Sequence, residues 1–174
     1  MRVQALTAWR LALLALVAVI LQTAVMTQFT PFGVVPDFIP ALVVCVGLLS
    51  GATTGAVFGF AIGLMIDLVL LQTMGVTSLL LTAEGYMAGR LREMRDPVHP
   101  LTAPAVGAIA SFLFAVGFAT IQFSLGAPAP LPLPLIWHIA VYTALGALLA
   151  IPAFKAARFA VMPTLGRDDP LLRR

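Results

Sequence analysis

Three ionisable side chains within or beside apolar stretches are the residues of this chain that could do chemistry. Asp67 and Glu84 lie inside apolar segments, and His138 directly follows Trp137. A carboxyl group in hydrocarbon is typical of a proton relay or an ion path, or it is a protonated acid hydrogen-bonded to the neighbouring backbone. For Asp67 we predict a structural cap or polar anchor, whereas for Glu84 both interpretations stay open.

The expected depths of these side chains separate the two acids. At ~1.5 Å of rise per residue, Asp67 lies roughly 6 Å from the outer end of its helix near Leu71. By the same rise, Glu84 lies roughly 13 Å below Gly75, near the middle of the membrane, so we do not expect the acids to pair directly. His138 is expected at the level of Asp67, either hydrogen-bonded to it or half solvated at the interface.

No larger constellation of polar residues is evident. The sequence has no cluster of His, Cys, Asp and Glu with metal-ligand spacing, no phosphate-binding glycine loop and no GxSxG motif. The single cysteine, Cys45, lies in an apolar run and has no partner for a disulfide. Because a membrane enzyme needs several polar groups at one depth, we predict no catalytic residues, no metal, no cofactor and no enzymatic activity.

Composition places these residues in a membrane protein. Hydrophobic residues make up 61% of the 174 positions and charged residues 10%, and the mean hydropathy is +1.05. A soluble domain of this size could not bury so much apolar surface. The pI of about 9.8 does not indicate nucleic-acid binding, because the basic residues flank apolar segments as topology signals do.

The apolar segments predict an all-α protein with a single domain, residues 1–174, of six transmembrane helices. A spanning helix needs ~20 residues, and the second segment is short by this measure. The predicted spans are residues 9–28, 36–49, 52–71, 75–91, 101–124 and 135–154, followed by a basic cytoplasmic tail, 155–174.

The ten Lys and Arg residues predict the orientation of these spans. Two precede the first span, three lie between the fourth and fifth, and five follow the sixth. An even number of crossings separates each group from the next, so all ten lie on one side. The positive-inside rule makes that side the cytoplasm and places both termini there, in a multi-pass membrane protein.

Glycine at every fourth position of the third span predicts close helix packing. These glycines, here called the glycine ladder, are Gly51, Gly55, Gly59 and Gly63, and the next step of four is Asp67. Backbones approach closely where no Cβ intervenes. The ladder either packs within this chain or docks a partner, and the fifth span, which also has small residues at every fourth position, is the expected packing mate.

The segments around the ladder add helix-start and helix-packing residues. Pro36 and Asp37 open the second span, where a missing N–H is tolerated and a carboxylate favours the helix N-terminus. The fourth span carries Tyr86 between two further glycines, Gly85 and Gly89. We expect Asp67 to fix the outer end of the third span and the face around Tyr86 to help hold the bundle together.

A series of short motifs runs from residue 36 to residue 91: Pro36-Asp37 before an apolar run, Gly59, Gly63, Asp67-Leu68, Gly75-Val76, Tyr86 and Gly89-Arg90-Leu91. Together these motifs resemble those of a known family, the MreD rod shape-determining membrane proteins of bacteria. Leu70 and Leu71 stand where the family often has small residues. Glu84 stands where the family usually has an apolar residue, so no family role passes to Glu84.

The resemblance implies a non-enzymatic inner-membrane component of the cell-elongation machinery. It implies association with MreC and, through MreC, with MreB filaments, a RodA-type glycosyltransferase and a penicillin-binding transpeptidase. It also implies a fold similar to the six-helix substrate-binding subunits of energy-coupling factor transporters. On this interpretation the glycine ladder and the face around Tyr86 present a docking surface to MreC. The basic cytoplasmic surface suits anionic lipid or an acidic partner.

Two other functions follow from the same polar residues. A substrate-binding subunit of an energy-coupling factor transporter for a vitamin or ion would use Asp67, His138 and Gln122 as ligand contacts, although these are few for such a pocket. A small ion or proton carrier would use Asp67 and Glu84. Loss of cell shape on depletion would favour the MreD role, and a growth defect rescued by one nutrient would favour transport.

Overall fold

Six α-helices make up most of the described structure. The computed structural model describes the backbone of residues 2–25, 28, 33–71, 74–94, 103–126 and 132–165, so residues 166–174 of the predicted tail lie outside it. The helices are α1 Arg2–Ala24, α2 Ile39–Ser50, α3 Ala52–Leu70, α4 Val76–Met94, α5 Ala103–Ser124 and α6 Pro132–Leu165. The all-helical class and the number of helices are confirmed.

Among the described residues, three segments are both long and apolar enough to cross a membrane. They are Ala52–Leu70, Pro104–Ser124 and Ile136–Val161, while Ala8–Ala24 and Ile39–Ser50 are shorter apolar helices. Helix α4 carries Glu84 and, near its end, Arg90, Arg92 and Glu93, which lower its hydropathy. The length and hydropathy of these helices are those of a membrane protein. The six-span topology with both termini in the cytoplasm stays a prediction.

Helix α2 lies at the centre of the bundle. Ten consecutive residues of this helix, 39–48, are buried, and it packs against each of the other five helices. Such all-round burial explains its uniformly apolar sequence, because every face contacts protein. At ~1.5 Å per residue its twelve residues reach only about 18 Å, less than the ~30 Å of a bilayer core.

The other helices pair in a way that differs from the sequence prediction. Helix α3 packs most extensively against α4, and α5 packs most extensively against α6. The expectation that the third and fifth spans are packing mates is therefore wrong. The small residues of α5 face α6 instead, since a Cβ added at Gly107 would meet Ala150 and one added at Gly146 would meet Ser111.

Helix α6 is longer than the predicted sixth span at both ends. It begins at Pro132, because proline is tolerated in a first helical turn, and it continues beyond Phe154 to Leu165. The start of the predicted polar tail is thus helical and packed on the core. Its buried residues recur on one face of the helix, namely Ala153, Phe154, Ala157, Ala160 and Val161.

Candidate functional site

A carboxylate and a phenol join the start of α2 to α6 at one end of the bundle. Tyr142 Oη donates a hydrogen bond to Asp37 Oδ2 at 2.9 Å, and the Ile39 N–H donates to Asp37 Oδ1 at 2.9 Å. Asp37 thus accepts a bond from the first turn of α2, as a carboxylate beside a helix N-terminus does. Gln22 Nε2 in α1 donates to the Pro36 carbonyl at 2.9 Å, so three helices meet here.

A cavity of about 470 Å³ opens beside this junction, and we call it the Asp37 cavity. All six helices contribute to its wall. Its polar lining residues are Gln22, Thr23, Asp37, Thr77, His138 and Tyr142, and its larger apolar ones include Ile66, Leu81, Phe114 and Phe118. The volume and the mixture of an apolar wall with a few polar groups are those of small-molecule sites.

Asp67 closes the turn between α3 and α4 and does not line the cavity. Its side chain is 1% exposed, and its Oδ2 accepts hydrogen bonds from the backbone N–H of Gly75 at 2.8 Å and of Ser78 at 3.4 Å. Asp67 therefore caps the N-terminus of α4. Its Oδ1 has no hydrogen-bond partner among the described residues, so the predicted alternative of a hydrogen bond from Asp67 to His138 is not formed.

Glu84 lies in the interior of the bundle. It is 8% exposed, and neither carboxyl oxygen has a hydrogen-bond partner within the described part of the chain. Glu84 is not among the residues that line the Asp37 cavity. Glu84 forms no hydrogen bond with Asp67 among the described residues. The depths expected from the sequence also argued against direct pairing of these two acids.

Three of the four glycines of the ladder contact the backbone of α4. A Cβ added at Gly55 would collide with the Gly85 carbonyl oxygen, and one added at Gly59 would collide with the Leu81 carbonyl oxygen. At Gly63 it would lie 2.5 Å from Ser78 Cα. These glycines are buried between two helices of the same chain and are not available to a partner.

Two of the predicted glycines act through backbone conformation. Gly51 joins α2 to α3 with a φ of +95°, and Gly75 precedes α4 with a φ of +95°. A Cβ added at either would meet nothing within 4 Å, but that left-handed region favours glycine. Gly51 is therefore needed for the turn between α2 and α3 and not for close approach of a second helix to its own Cα. Its backbone does lie against Gly89 of α4.

Tyr86 points away from this contact. It is 49% exposed, whereas its neighbours Gly85 and Gly89 are buried against α2 and α3. It belongs to an exposed strip along α4 that we call the Tyr86 face, which consists of Leu79, Ala83, Tyr86, Met87 and Arg90.

Among the polar residues of the cavity wall that sequence reasoning missed are Gln22 and Tyr142. Both lie in apolar helices, and Tyr142 meets Asp37 from 105 positions away, so spacing along the chain carried no signal for the contact. Gln122, a predicted candidate contact, is not among the residues that line the cavity. The described residues include no group of three or more His, Cys, Asp or Glu side chains placed to hold a metal.

Comparison with known proteins identifies the family. The family model described as rod shape-determining protein MreD matches residues 3–130, nearly three quarters of the 174 residues. No curated protein and no solved structure matches the chain significantly. The matched range contains α1 to α5, with Asp37, Asp67, Gly75 and the glycine ladder. The resemblance found in the sequence motifs is thereby confirmed, and this chain belongs to the MreD family of rod shape-determining proteins.

Proposed function

We propose that this protein is a non-enzymatic scaffold of the cell-elongation machinery that docks MreC in the bacterial inner membrane. Membership of a rod shape-determining family supports the role in cell shape. MreC is the direct partner, and MreB filaments, a RodA-type glycosyltransferase and a penicillin-binding transpeptidase are reached indirectly. By this coupling the protein helps to connect MreB filaments to peptidoglycan synthesis.

The orientation of the bundle follows from its basic residues. Arg90 and Arg92 lie at the end of α4, and Lys155 and Arg158 lie in the second half of α6. The positive-inside rule puts this end at the cytoplasmic surface, where it contacts anionic lipid. The Asp37 cavity and the Asp67 cap then lie at the opposite, outer side of the membrane.

Tyr86 is the single observation that carries the docking proposal. It lies ten residues beyond Val76, the first residue of α4, which is ~15 Å along the helix and near the middle of a ~30 Å hydrocarbon core. Tyrosine ordinarily lies at membrane interfaces, where its hydroxyl reaches water. A half-exposed phenol at mid-depth is stabilised when a partner helix covers it and accepts its hydrogen bond.

The buried position of the glycine ladder narrows the choice of docking surface. Because Gly55, Gly59 and Gly63 contact α4 of the same chain, substituting them would disturb the fold before it disturbed an interface. The docking surface is therefore assigned to the Tyr86 face, on the opposite side of α4, and the glycine ladder holds that face in place.

Co-purification of MreC with variants of Tyr86 tests this assignment. We expect Tyr86→Leu to reduce MreC recovery about tenfold or more, as for a central aromatic anchor of an interface. Tyr86→Phe removes only the hydroxyl, so we expect a loss of about threefold, in line with ~0.6 kcal/mol for a membrane hydrogen bond. Unchanged recovery with a folded Tyr86→Leu variant would rule out this face.

Phe112→Leu is the matched control for that experiment. Phe112 is an aromatic residue on α5 that is 48% exposed, nearly the same as Tyr86, but it lies outside the Tyr86 face. We expect full MreC recovery with this variant. In the native cell, depletion of the protein should cause rounding and widening before growth stops, and rods that keep their width would contradict the role in cell elongation.

The Asp37 cavity supports a second candidate function, a substrate-binding subunit of an energy-coupling factor transporter. Such a subunit needs polar and aromatic side chains that converge in the outer half of the bundle, and the cavity provides Gln22, Asp37, His138 and Tyr142. The test is nutritional. A growth defect on depletion that one added nutrient rescues, in cells of normal shape, would favour transport over the scaffold role.

A further inference from the structure

Asp37 has no positively charged hydrogen-bond donor among the described residues. Its two oxygens accept bonds from the Ile39 N–H and the Tyr142 hydroxyl, each at 2.9 Å. Both donors are neutral, so a carboxylate at this position gains no counter-charge from them. The described residues that line the cavity include no lysine or arginine.

Gln22 adds a hydrogen-bond acceptor without a partner to the wall of the cavity. Gln22 is 8% exposed, and because its Nε2 donates to the Pro36 carbonyl, its Oε1 is left buried without a partner among the described residues. A buried acceptor without a donor has lost its hydrogen bonds to water and gained none in exchange, which is unfavourable. This part of the bundle therefore favours a cation that can donate several hydrogen bonds.

The remaining wall of the cavity is apolar. Phe114 and Phe118 stack with ring centroids 6.0 Å apart, and Ile66 and Leu81 lie in the same lining. A bare metal ion would leave this surface unfilled, and Ca²⁺ or Mg²⁺ would need about six oxygen ligands. An ammonium group provides three donors, and an attached hydrocarbon body would fill the apolar part of the cavity.

From these contacts we propose that the Asp37 cavity binds an amphiphile with a primary ammonium head on an aliphatic body. The head lies against Asp37 and the free Gln22 Oε1, and the body lies along Phe114 and Phe118. Either an ethanolamine phospholipid of the surrounding membrane or a free aliphatic amine provides this chemistry. The site is independent of MreC docking, because the Tyr86 face lies on an outward surface of α4 and contributes no residue to the cavity lining.

The first test uses three probes that share one hydrocarbon body. Binding of hexylammonium, hexanol and hexanoate to the purified full chain, in nanodiscs of phosphatidylcholine, is measured by calorimetry. We expect hexylammonium to bind at least about tenfold more tightly than either of the others, because only its ammonium head donates charge-assisted hydrogen bonds, which are stronger than neutral ones. Equal binding of hexanoate, or no binding of hexylammonium, would overturn the proposal.

Variants of the chain locate the head group. We expect Asp37→Asn to lose the preference for hexylammonium over hexanol, with the affinity for hexanol unchanged. Thr53→Ala is the matched control, because Thr53 lines a separate groove between α1 and α3, and its affinities should match those of the unsubstituted chain. If Asp37→Asn does not fold, Gln22→Leu replaces it and should reduce the preference for hexylammonium, because one acceptor of the head group is lost. A preference of unchanged size in the folded variant contradicts the assignment of the head group.

A further experiment, with membranes of two lipids, distinguishes an ethanolamine phospholipid from a free aliphatic amine as the ligand. The chain is placed in nanodiscs of equal phosphatidylethanolamine and phosphatidylcholine, and the lipids that it retains are identified by native mass spectrometry. Retained phosphatidylethanolamine that Asp37→Asn does not retain identifies the lipid as the ligand. Binding of hexylammonium without lipid enrichment identifies a free amine, and absence of both overturns the proposal.

Discussion

The Asp67 carboxylate and the Gly75 backbone N–H, eight residues apart in sequence, form a hydrogen bond of 2.8 Å that closes the turn between α3 and α4. Ser78 adds a second N–H to the same oxygen, and its own hydroxyl donates to the Phe60 carbonyl at 3.2 Å. This end of the hairpin is therefore held by polar contacts, whereas the length of the hairpin is held by the glycine ladder.

Replacement of Asp67 should destabilise the α3–α4 hairpin. Asp67→Leu leaves the N–H groups of Gly75 and Ser78 without their acceptor in a buried setting, at about 1–3 kcal/mol for each group. We expect the denaturation midpoint in detergent, followed by circular dichroism, to fall markedly. Asp67→Asn keeps one carbonyl oxygen as an acceptor, so its denaturation midpoint should fall less. An unchanged midpoint for Asp67→Leu would show that the cap contributes nothing to stability.

Addition of a methyl group to the glycine ladder should force α3 and α4 apart. In Gly59→Ala the new Cβ collides with a backbone carbonyl oxygen of Leu81, and overpacking of this kind costs about 1–3 kcal/mol. The readout is the unfolding midpoint of the isolated protein, measured without MreC. A midpoint equal to that of the unsubstituted chain would mean that the two helices separate at no cost.

Gly117→Ala is the matched control for the ladder. Its Cβ would lie 2.8 Å from Leu80 Cδ2, the far end of a flexible side chain that can move away. Alanine also has a better helix propensity than glycine by about 1 kcal/mol. We therefore expect Gly117→Ala to be neutral or stabilising, and a loss as large as that of Gly59→Ala would indicate a general sensitivity to added volume.

The sequence predicted the local parts of the α3–α4 hairpin but not the pairing of the helices. The apolar runs predicted the bounds of α3 and α4 within about three residues, and the acid at the end of the ladder predicted a cap. The packing mate of α3 was predicted wrongly because α4 and α5 both carry small residues at four-residue spacing. In α4 these are Gly85 and Gly89, and the sequence does not show which helix lies opposite.

The cavity was harder to predict because its polar groups are distant in sequence. Asp37 lies inside the range that the family model matches, and Tyr142 lies beyond its end at residue 130. A tyrosine in an apolar helix is equally typical of core packing. Only the fold shows that its hydroxyl reaches a carboxylate at the start of α2.

Tyr142→Phe should loosen the attachment of α6 to α2. The substitution keeps the ring and removes the donor to Asp37 Oδ2, which leaves one carboxylate oxygen with no described donor. Because hydrogen bonds to charged groups contribute about 1.5–3 kcal/mol, we expect a lower unfolding midpoint. Tyr86→Phe removes the same hydroxyl from an exposed position and should leave the midpoint of the isolated protein unchanged. Equal midpoints for both variants would contradict a stabilising role for the Asp37–Tyr142 bond.

Arg92 should stabilise the opposite end of α2. Its Nη1 donates to the carbonyl oxygen of Leu49, one of the last four of a helix, which lack partners within it, and a positive charge is favourable there. We expect Arg92→Gln to lower the unfolding midpoint by the equivalent of about 1–2 kcal/mol and Arg92→Lys to lower it less, because lysine keeps the charge but loses the planar geometry of the donor. Lys155→Gln removes one positive charge from an exposed position and should change the midpoint little. If Arg92→Gln matched that control, the contact with Leu49 would add nothing to the stability of the bundle.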